Sequence, residues 1–86
     1  MAKKVENDKR FLVLEVTAEE LKKVGGLGIC DECNQFAESG YYVAVLNHYM
    51  CQKCYNEFMS RAINYPEDAE IEIRNYDYMC DALSDF

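Results

Sequence analysis

The order of hydrophobic and polar residues along this chain predicts a short series of strands and helices. The segment from Arg10 to Val16 is short and rich in residues that favour β-structure, so it predicts a strand. The next four residues, Thr17-Ala18-Glu19-Glu20, fit a capping box, in which the threonine hydroxyl caps a helix and Glu20 reaches back. This helix is predicted over Ala18 to Val24, and Gly25-Gly26 ends it.

The centre of the chain predicts a hairpin followed by a helix. Tyr41 to Leu46 is the strongest strand candidate, and Gln35-Phe36-Ala37 is a shorter one. Turns are predicted at Glu38-Ser39-Gly40 and at Asn47-His48. Farther on, five apolar residues recur with the spacing of one helical face; they are Tyr55, Phe58, Met59, Ala62 and Ile63. Pro66 is predicted to end this helix.

The two ends of the chain carry weaker patterns. Residues 1–9 are charged and predict a flexible, solvated lead. Ile71-Glu72-Ile73 alternates and predicts a short extended piece. The segment from Arg74 to Asp85 carries apolar residues at helical spacing, namely Tyr76, Met79, Cys80 and Leu83, and predicts a terminal helix. Because 86 residues allow one domain, residues 10–86 are predicted to form it.

The predicted strand Tyr41–Leu46 is apolar on both faces, whereas a strand with one solvated face alternates apolar and polar residues. One face carries Tyr41, Val43 and Val45, and the other carries Tyr42, Ala44 and Leu46. The helix side with Phe58, Met59 and Ile63 is predicted to cover one face, and either segment 11–14 or the stripe 76–83 the other. The alternative is that a partner protein, or a second copy in a homodimer, covers the second face.

Four cysteines form the strongest chemical signal in the chain. Cys30-Asp31-Glu32-Cys33 is followed after 17 residues by Cys51-Gln52-Lys53-Cys54. Two C-x-x-C pairs at this separation are typical of a zinc site, because each pair brings two thiolates to one point of a tetrahedron. Cys30, Cys33, Cys51 and Cys54 are therefore predicted to hold one structural Zn²⁺ per chain. The alternatives are two disulfides, which need an oxidising compartment, or a redox pair.

The order of the elements from residue 30 to residue 64 resembles a treble-clef zinc finger, in which a Cys pair, a hairpin, a second Cys pair and a helix follow each other. The 17-residue spacer is similar to that of GATA-type fingers, of LIM half-modules and of the TraR/DksA-type bacterial finger. The resemblance implies an α+β fold, with a strand and a short helix before the zinc-stabilised core and a terminal helix after it.

Three further features of the sequence each have a chemical and a structural interpretation. His48, the only histidine, lies three residues before Cys51, so it is an alternative zinc ligand, but an exposed turn residue is the interpretation we favour. Cys80 lies on an apolar stripe and is predicted to be buried, the alternatives being a further ligand or a reactive thiol. Leu27-Gly28-Ile29 follows a helix instead of opening one, which favours a turn over a phosphate cradle. No acid/base pair stands out, so we predict no catalytic or cofactor-binding residue.

Charge narrows the classes of partner. The chain has nine Lys and Arg against sixteen Asp and Glu, a formal net charge of −7. Four thiolates and one Zn²⁺ would add a further −2, to give about −9. Nucleic-acid binders normally neutralise phosphates with a basic patch, so this charge counts against nucleic acid and against anionic membranes. No run is apolar enough to span a membrane, and no signal peptide is visible, so the cytoplasm is the expected compartment.

These observations predict a small, non-enzymatic zinc module that acts through protein–protein contact. Its acidic surface suits a basic partner, for which it would be an adaptor, regulator or inhibitor. A nucleic-acid-binding zinc finger of the transcription-regulator type is the alternative, and a thiol redox enzyme is the third.

Overall fold

A four-stranded antiparallel sheet in the order β1-β2-β3-β4 is the centre of the computed structural model, which describes residues 3–83. The strands are β1 (Lys3–Lys4), β2 (Val13–Thr17), β3 (Ser39–Val43) and β4 (His48–Met50), and the helices are α1 (Ala18–Lys22), α2 (Gln52–Arg61) and α3 (Ala69–Leu83). A single 3₁₀ turn, Pro66–Asp68, leads into α3. The α+β class is thereby confirmed.

The capping box at the start of α1 is confirmed. The Glu20 backbone N–H donates to the Thr17 hydroxyl oxygen at 3.1 Å, and the Thr17 N–H donates to the Glu20 carboxylate at 2.9 Å. The helix ends at Lys22, two residues before the predicted end. Together the cap and the two glycines give a one-turn helix that returns the chain toward the sheet.

The first residues that the structure describes pair and hydrogen-bond with the rest of the fold, and the flexibility predicted for residues 1–9 stays a prediction. β1 pairs antiparallel with β2 at the edge of the sheet. The Asn7 side chain donates to the Phe11 carbonyl at 2.8 Å and accepts its N–H at 3.0 Å, and Lys9 Nζ donates to the Ala62 carbonyl at 2.6 Å. These bonds join polar side chains to backbone groups, so charge and hydropathy gave no sign of them. Residues 1–2 lie outside the described part.

The hairpin begins and turns earlier than predicted. Ser39 and Gly40, expected in a turn, pair with β2 as the first residues of β3. Glycine fits this position because a Cβ at Gly40 would lie 2.3 Å from the Met50 carbonyl oxygen. The turn covers residues 44–47, so His48 is the first residue of β4 instead of a turn residue. Phe36, expected in a short strand, makes a single antiparallel bridge with Ile29.

α2 begins inside the second Cys pair and is shorter at its far end than predicted. It ends at Arg61, because Ala62 has extended backbone with ψ 145°. Ile63 therefore lies beyond the helix and is 65% exposed, so the prediction that it packs behind the hairpin is wrong. Pro66 does not end α2; it opens the 3₁₀ turn that follows.

α3 begins at Ala69 and includes Ile71-Glu72-Ile73, so the prediction of an extended piece there is wrong. The helix buries the glutamate of this triplet and leaves the two isoleucines half-exposed. Glu72 is 6% exposed, and its carboxylate accepts the Leu12 backbone N–H at 2.8 Å. The predicted end of this helix, at Asp85, lies outside the described residues.

Other elements of this chain pack on both faces of the hairpin, as predicted for the intramolecular alternative, except at Leu46, which lies in the turn and is 40% exposed. The first core contains Leu14, Val16, Leu21, Tyr42, Ala44, Tyr49, Met79 and Leu83. The second core contains Phe11, Val13, Cys30, Val43, Met50 and Tyr55, with Phe58 and Met59 packed against it. Thus α1 and α3 cover one face of the sheet, and α2 and the Cys cluster cover the other.

Gly28 connects α1 to the first Cys pair at a point where no side chain fits. Its φ is +74°, and a Cβ there would lie 2.5 Å from the Cβ of Ala18. We expect Gly28→Ala to lower the free energy of unfolding by about 2–5 kcal/mol, because left-handed backbone strain adds to a core clash. Gly25→Ala is the matched control, since φ is +84° but no atom lies within 4 Å. Urea denaturation of the two zinc-loaded variants measures both losses of stability. Equal losses for Gly28→Ala and Gly25→Ala would contradict the clash at Gly28.

Candidate metal centre

The sulfur atoms of Cys30, Cys33, Cys51 and Cys54 converge on one point. All four lie within 4.8 Å of one another. The Cys33 and Cys51 sulfurs are 3.9 Å apart, and a tetrahedral site with Zn–S bonds of about 2.3 Å requires a sulfur–sulfur distance of about 3.8 Å. The four predicted ligands are therefore positioned to bind a single metal ion.

A tight turn brings the first two sulfurs to the same side of the backbone. The Cys30 N–H donates to the Gln35 carbonyl at 2.9 Å, and the Asn34 N–H donates to the Cys30 carbonyl at 2.8 Å. Asn34 closes the turn with φ of 62°, a left-handed conformation that asparagine adopts more readily than most residues. Cys30 is fully buried in the second core, while Cys33 is exposed.

The second pair lies at the start of α2. Cys51 is the N-cap residue, with extended backbone at φ −70° and ψ 168°, and Cys54 follows in the first turn. The Cys51 side chain makes no capping hydrogen bond, so its sulfur is available to a metal. The N-terminus of α2, the positive end of its helix dipole, lies at this second pair.

Asp31 sets the distance between the two pairs. Its backbone N–H donates to the Tyr49 carbonyl at 2.8 Å, and its carboxylate accepts the Tyr49 N–H at 2.9 Å. Tyr49 lies on β4, two residues before Cys51, so these two bonds fix the first turn to the strand that delivers the second pair. Sequence reasoning missed this residue, because its partner is 18 positions away and an exposed aspartate in a turn carries no special signal.

The surroundings of Cys30 and Cys54 shift the pKa values of their thiols in opposite directions. Burial raises the pKa of the Cys30 thiol, but N–H donors from Cys51, Cys33 and Glu32 outweigh it and lower the pKa to about 6. Burial and hydrogen bonding with neighbouring sulfurs raise the pKa of Cys54. Adjacent sulfurs cannot all carry charge without a cation, so a metal ion must release protons as it binds.

The cluster opens to solvent on one side, toward α2. Lys53 and Arg61 line a hollow there together with Cys33 and Cys54. Cationic side chains beside a four-thiolate site reduce the unfavourable energy of its net negative charge. The hollow also contains Glu32 and Glu57, so the local surface is of mixed sign.

The other two candidate ligands lie outside the cluster. His48 Nδ1 is 3.3 Å from a carboxylate oxygen of Glu32, and His48 is not part of the metal-binding group among residues 3–83. Cys80 lies on α3 and packs, partly buried, against the first core. The turn predicted at Leu27-Gly28-Ile29 lies earlier in the structure, at residues 23–25, and Ile29 instead makes the antiparallel bridge with Phe36.

Comparisons of the chain with protein-family models, with curated proteins and with solved structures found no match. Within residues 3–83, every helix is too short or too polar to cross a bilayer. The site's geometry therefore carries the functional argument by itself.

Proposed function

We propose that this chain is a structural-zinc module of the treble-clef type that acts through protein–protein contact and not through catalysis. The convergence of four sulfurs within 4.8 Å of one another supports this proposal best. Four thiolates complete a tetrahedron, so a bound ion has no open position for water or substrate. Tetrahedral sulfur ligation favours zinc or iron, and zinc needs no redox partner.

The arrangement of the elements supports the treble-clef assignment. One Cys pair lies in a turn, the hairpin β3–β4 follows, and the second pair lies at the N-terminus of α2. We infer a cytoplasmic location from the thiols, since metal binding requires that they stay reduced.

The surface charge supports a basic protein partner. The net charge is −7 before any metal is bound, and complementary charge steers association and selects partners. In this proposal the chain is an adaptor, regulator or inhibitor whose zinc holds the interaction surface in shape.

Nucleic-acid binding is the alternative, and Lys53 and Arg61 beside the metal centre favour it. Against it, residues 34–50 contain one acidic residue and no Lys or Arg. Few cationic side chains are therefore present to displace counterions from the phosphates of a nucleic acid.

The test uses the zinc-loaded full chain immobilised on beads, with cell extract treated with nuclease. We expect at least one basic protein to bind, and to bind again when it is purified and mixed with the zinc-loaded chain alone. Fluorescence anisotropy with duplex DNA, single-stranded DNA and RNA should give no binding at physiological salt. Micromolar affinity for nucleic acid that falls steeply with added salt would support the alternative instead.

A further inference from the structure

We propose that residues 27–38, here called the knuckle ribbon, bind a basic segment of a partner protein that carries an apolar anchor side chain. The proposal rests on the proposed function and names the surface and the partner chemistry. The knuckle ribbon runs into the first Cys pair and out of it again. Its two halves are joined by the Ile29–Phe36 bridge and meet at the metal centre.

The knuckle ribbon exposes three large apolar side chains within ten residues. Leu27 is 78% exposed, Phe36 is 63% exposed and Ile29 is 37% exposed. Ile29 and Phe36 are directly opposite each other in an antiparallel bridge, and the Phe36 ring lies beside Gly28. The side chains thus flank one glycine and form a patch that no other element within residues 3–83 covers.

A groove of about 220 Å³ continues from this patch into the first core. Leu27 and Ile29 form its rim, while Leu21, Val24 and Met79 line its interior. Small-molecule sites usually have roughly 300–1,000 Å³, so the groove suits a side chain better than a cofactor. A partner's apolar side chain would be buried there against side chains that already belong to the core.

The charges of the knuckle ribbon favour a basic partner, although the exposed Lys22 and Lys23 lie between two groove-lining residues, Leu21 and Val24, on the α1 side. The knuckle ribbon contains Asp31, Glu32 and Glu38, all exposed, and it contains no Lys or Arg. Asp31 also lines the groove. A second copy of the chain would bring the same carboxylates, and nucleic acid would bring phosphates, so both would be repelled. A partner segment with Lys or Arg next to an apolar anchor side chain complements both features. The anchor fills the apolar groove, and the cation pairs with the carboxylates beside it.

The probe for this surface is a short synthetic peptide of alternating Leu and Arg, titrated into the isotope-labelled, zinc-loaded full chain. We expect saturable shifts of the Leu27, Ile29 and Val24 methyl signals. Two matched peptides, with Glu in place of Arg or Ser in place of Leu, should not bind. The double variant Leu27→Ser/Phe36→Ser should weaken binding by about tenfold or more, because it removes the central apolar contacts. Ile63→Ser, at an exposed isoleucine elsewhere, should leave the affinity unchanged.

A charge variant tests the acidic rim separately. Glu38→Lys, at an exposed position, should lower the affinity for the Arg peptide and raise the affinity for the Glu peptide. The substituted positions are exposed, so each variant should retain its zinc and its circular dichroism spectrum. The proposal is overturned if the double variant Leu27→Ser/Phe36→Ser binds the Arg peptide with full affinity. It is also overturned if the peptide shifts signals of α2, or if the shifts come from self-association of the chain.

The same variants distinguish failure of this surface from failure of the proposed function. A basic partner protein that binds Leu27→Ser/Phe36→Ser as well as it binds the unchanged chain would overturn the surface and leave the proposed function standing. If neither the Arg peptide nor any basic protein binds the unchanged chain, the proposed function fails as well.

Discussion

Cys30→Ser or Cys54→Ser is expected to abolish zinc binding and to unfold the protein. Structural zinc in small fingers contributes roughly 10–16 kcal/mol of apparent binding energy, whereas a whole domain is stable by only about 5–15 kcal/mol. Cys30 is also part of the second core, so Cys30→Ser places a polar hydroxyl among apolar side chains. Elemental analysis and circular dichroism should show the loss of metal and of structure together.

Cys80→Ser is the matched control for this experiment, because Cys80 is partly buried but lies outside the sulfur cluster. That variant should keep one zinc per chain and a cooperative unfolding transition.

Acidification should release the metal from the unchanged protein, since protons compete for thiolate ligands. A chain that still unfolds cooperatively after strong chelation would show that metal binding is not a source of folding energy here.

Deletion of residues 71–86 is expected to destabilise the zinc-loaded protein beyond the margin of so small a domain. The deletion removes Met79 and Leu83 from the first core, and each large buried side chain contributes roughly 1.5–3 kcal/mol. It also removes the hydrogen bond from the Leu12 N–H to the Glu72 carboxylate, and a hydrogen bond to a charged group contributes about 1.5–3 kcal/mol. Hydrogen exchange should show lost protection in β2 and β3.

A pair of point variants makes the same prediction quantitative. Met79→Ala should cost about 2–5 kcal/mol, the usual range for truncating a buried methionine. Tyr78→Ala, at the preceding position, should change stability by about 0.5 kcal/mol or less, because that side chain is 71% exposed. Urea denaturation of both zinc-loaded variants provides the comparison. Equal effects would mean that α3 does not pack on the sheet through the Met79 face.

The ligand set could be predicted from the sequence because a C-x-x-C pair is a local constraint. Two cysteines three positions apart are brought together by one turn, so the amino-acid sequence itself contains that information. The device that aligns the two turns could not be predicted. It depends on the hydrogen bonds between Asp31 and Tyr49, which join the first Cys turn to a residue 18 positions away on β4.

The start of α3 shows why a short alternating pattern misleads. Ile71-Glu72-Ile73 fits an extended strand if hydropathy alone decides which residues face inward. In the fold, the glutamate faces inward because it satisfies a backbone donor on another segment, and the isoleucines remain half-exposed. Tertiary hydrogen bonding therefore reversed the pattern that was used to predict the strand. Ile63 was wrongly placed in the core for a related reason, since α2 ended before reaching it.

The bonds between Asp31 and Tyr49 have a second consequence, which concerns how a partner can attach. β4 is an edge strand of three residues, and both backbone groups of its central residue are occupied by Asp31. In the described part of the chain the opposite edge is β1, whose residues are Lys3 and Lys4, and lysine on an edge strand discourages further pairing. Within residues 3–83 the sheet therefore offers little template for β-augmentation by a foreign strand. Under the proposed function, a partner protein would therefore contact side-chain surfaces, and its affinity would depend on residue identity more than on backbone hydrogen bonds.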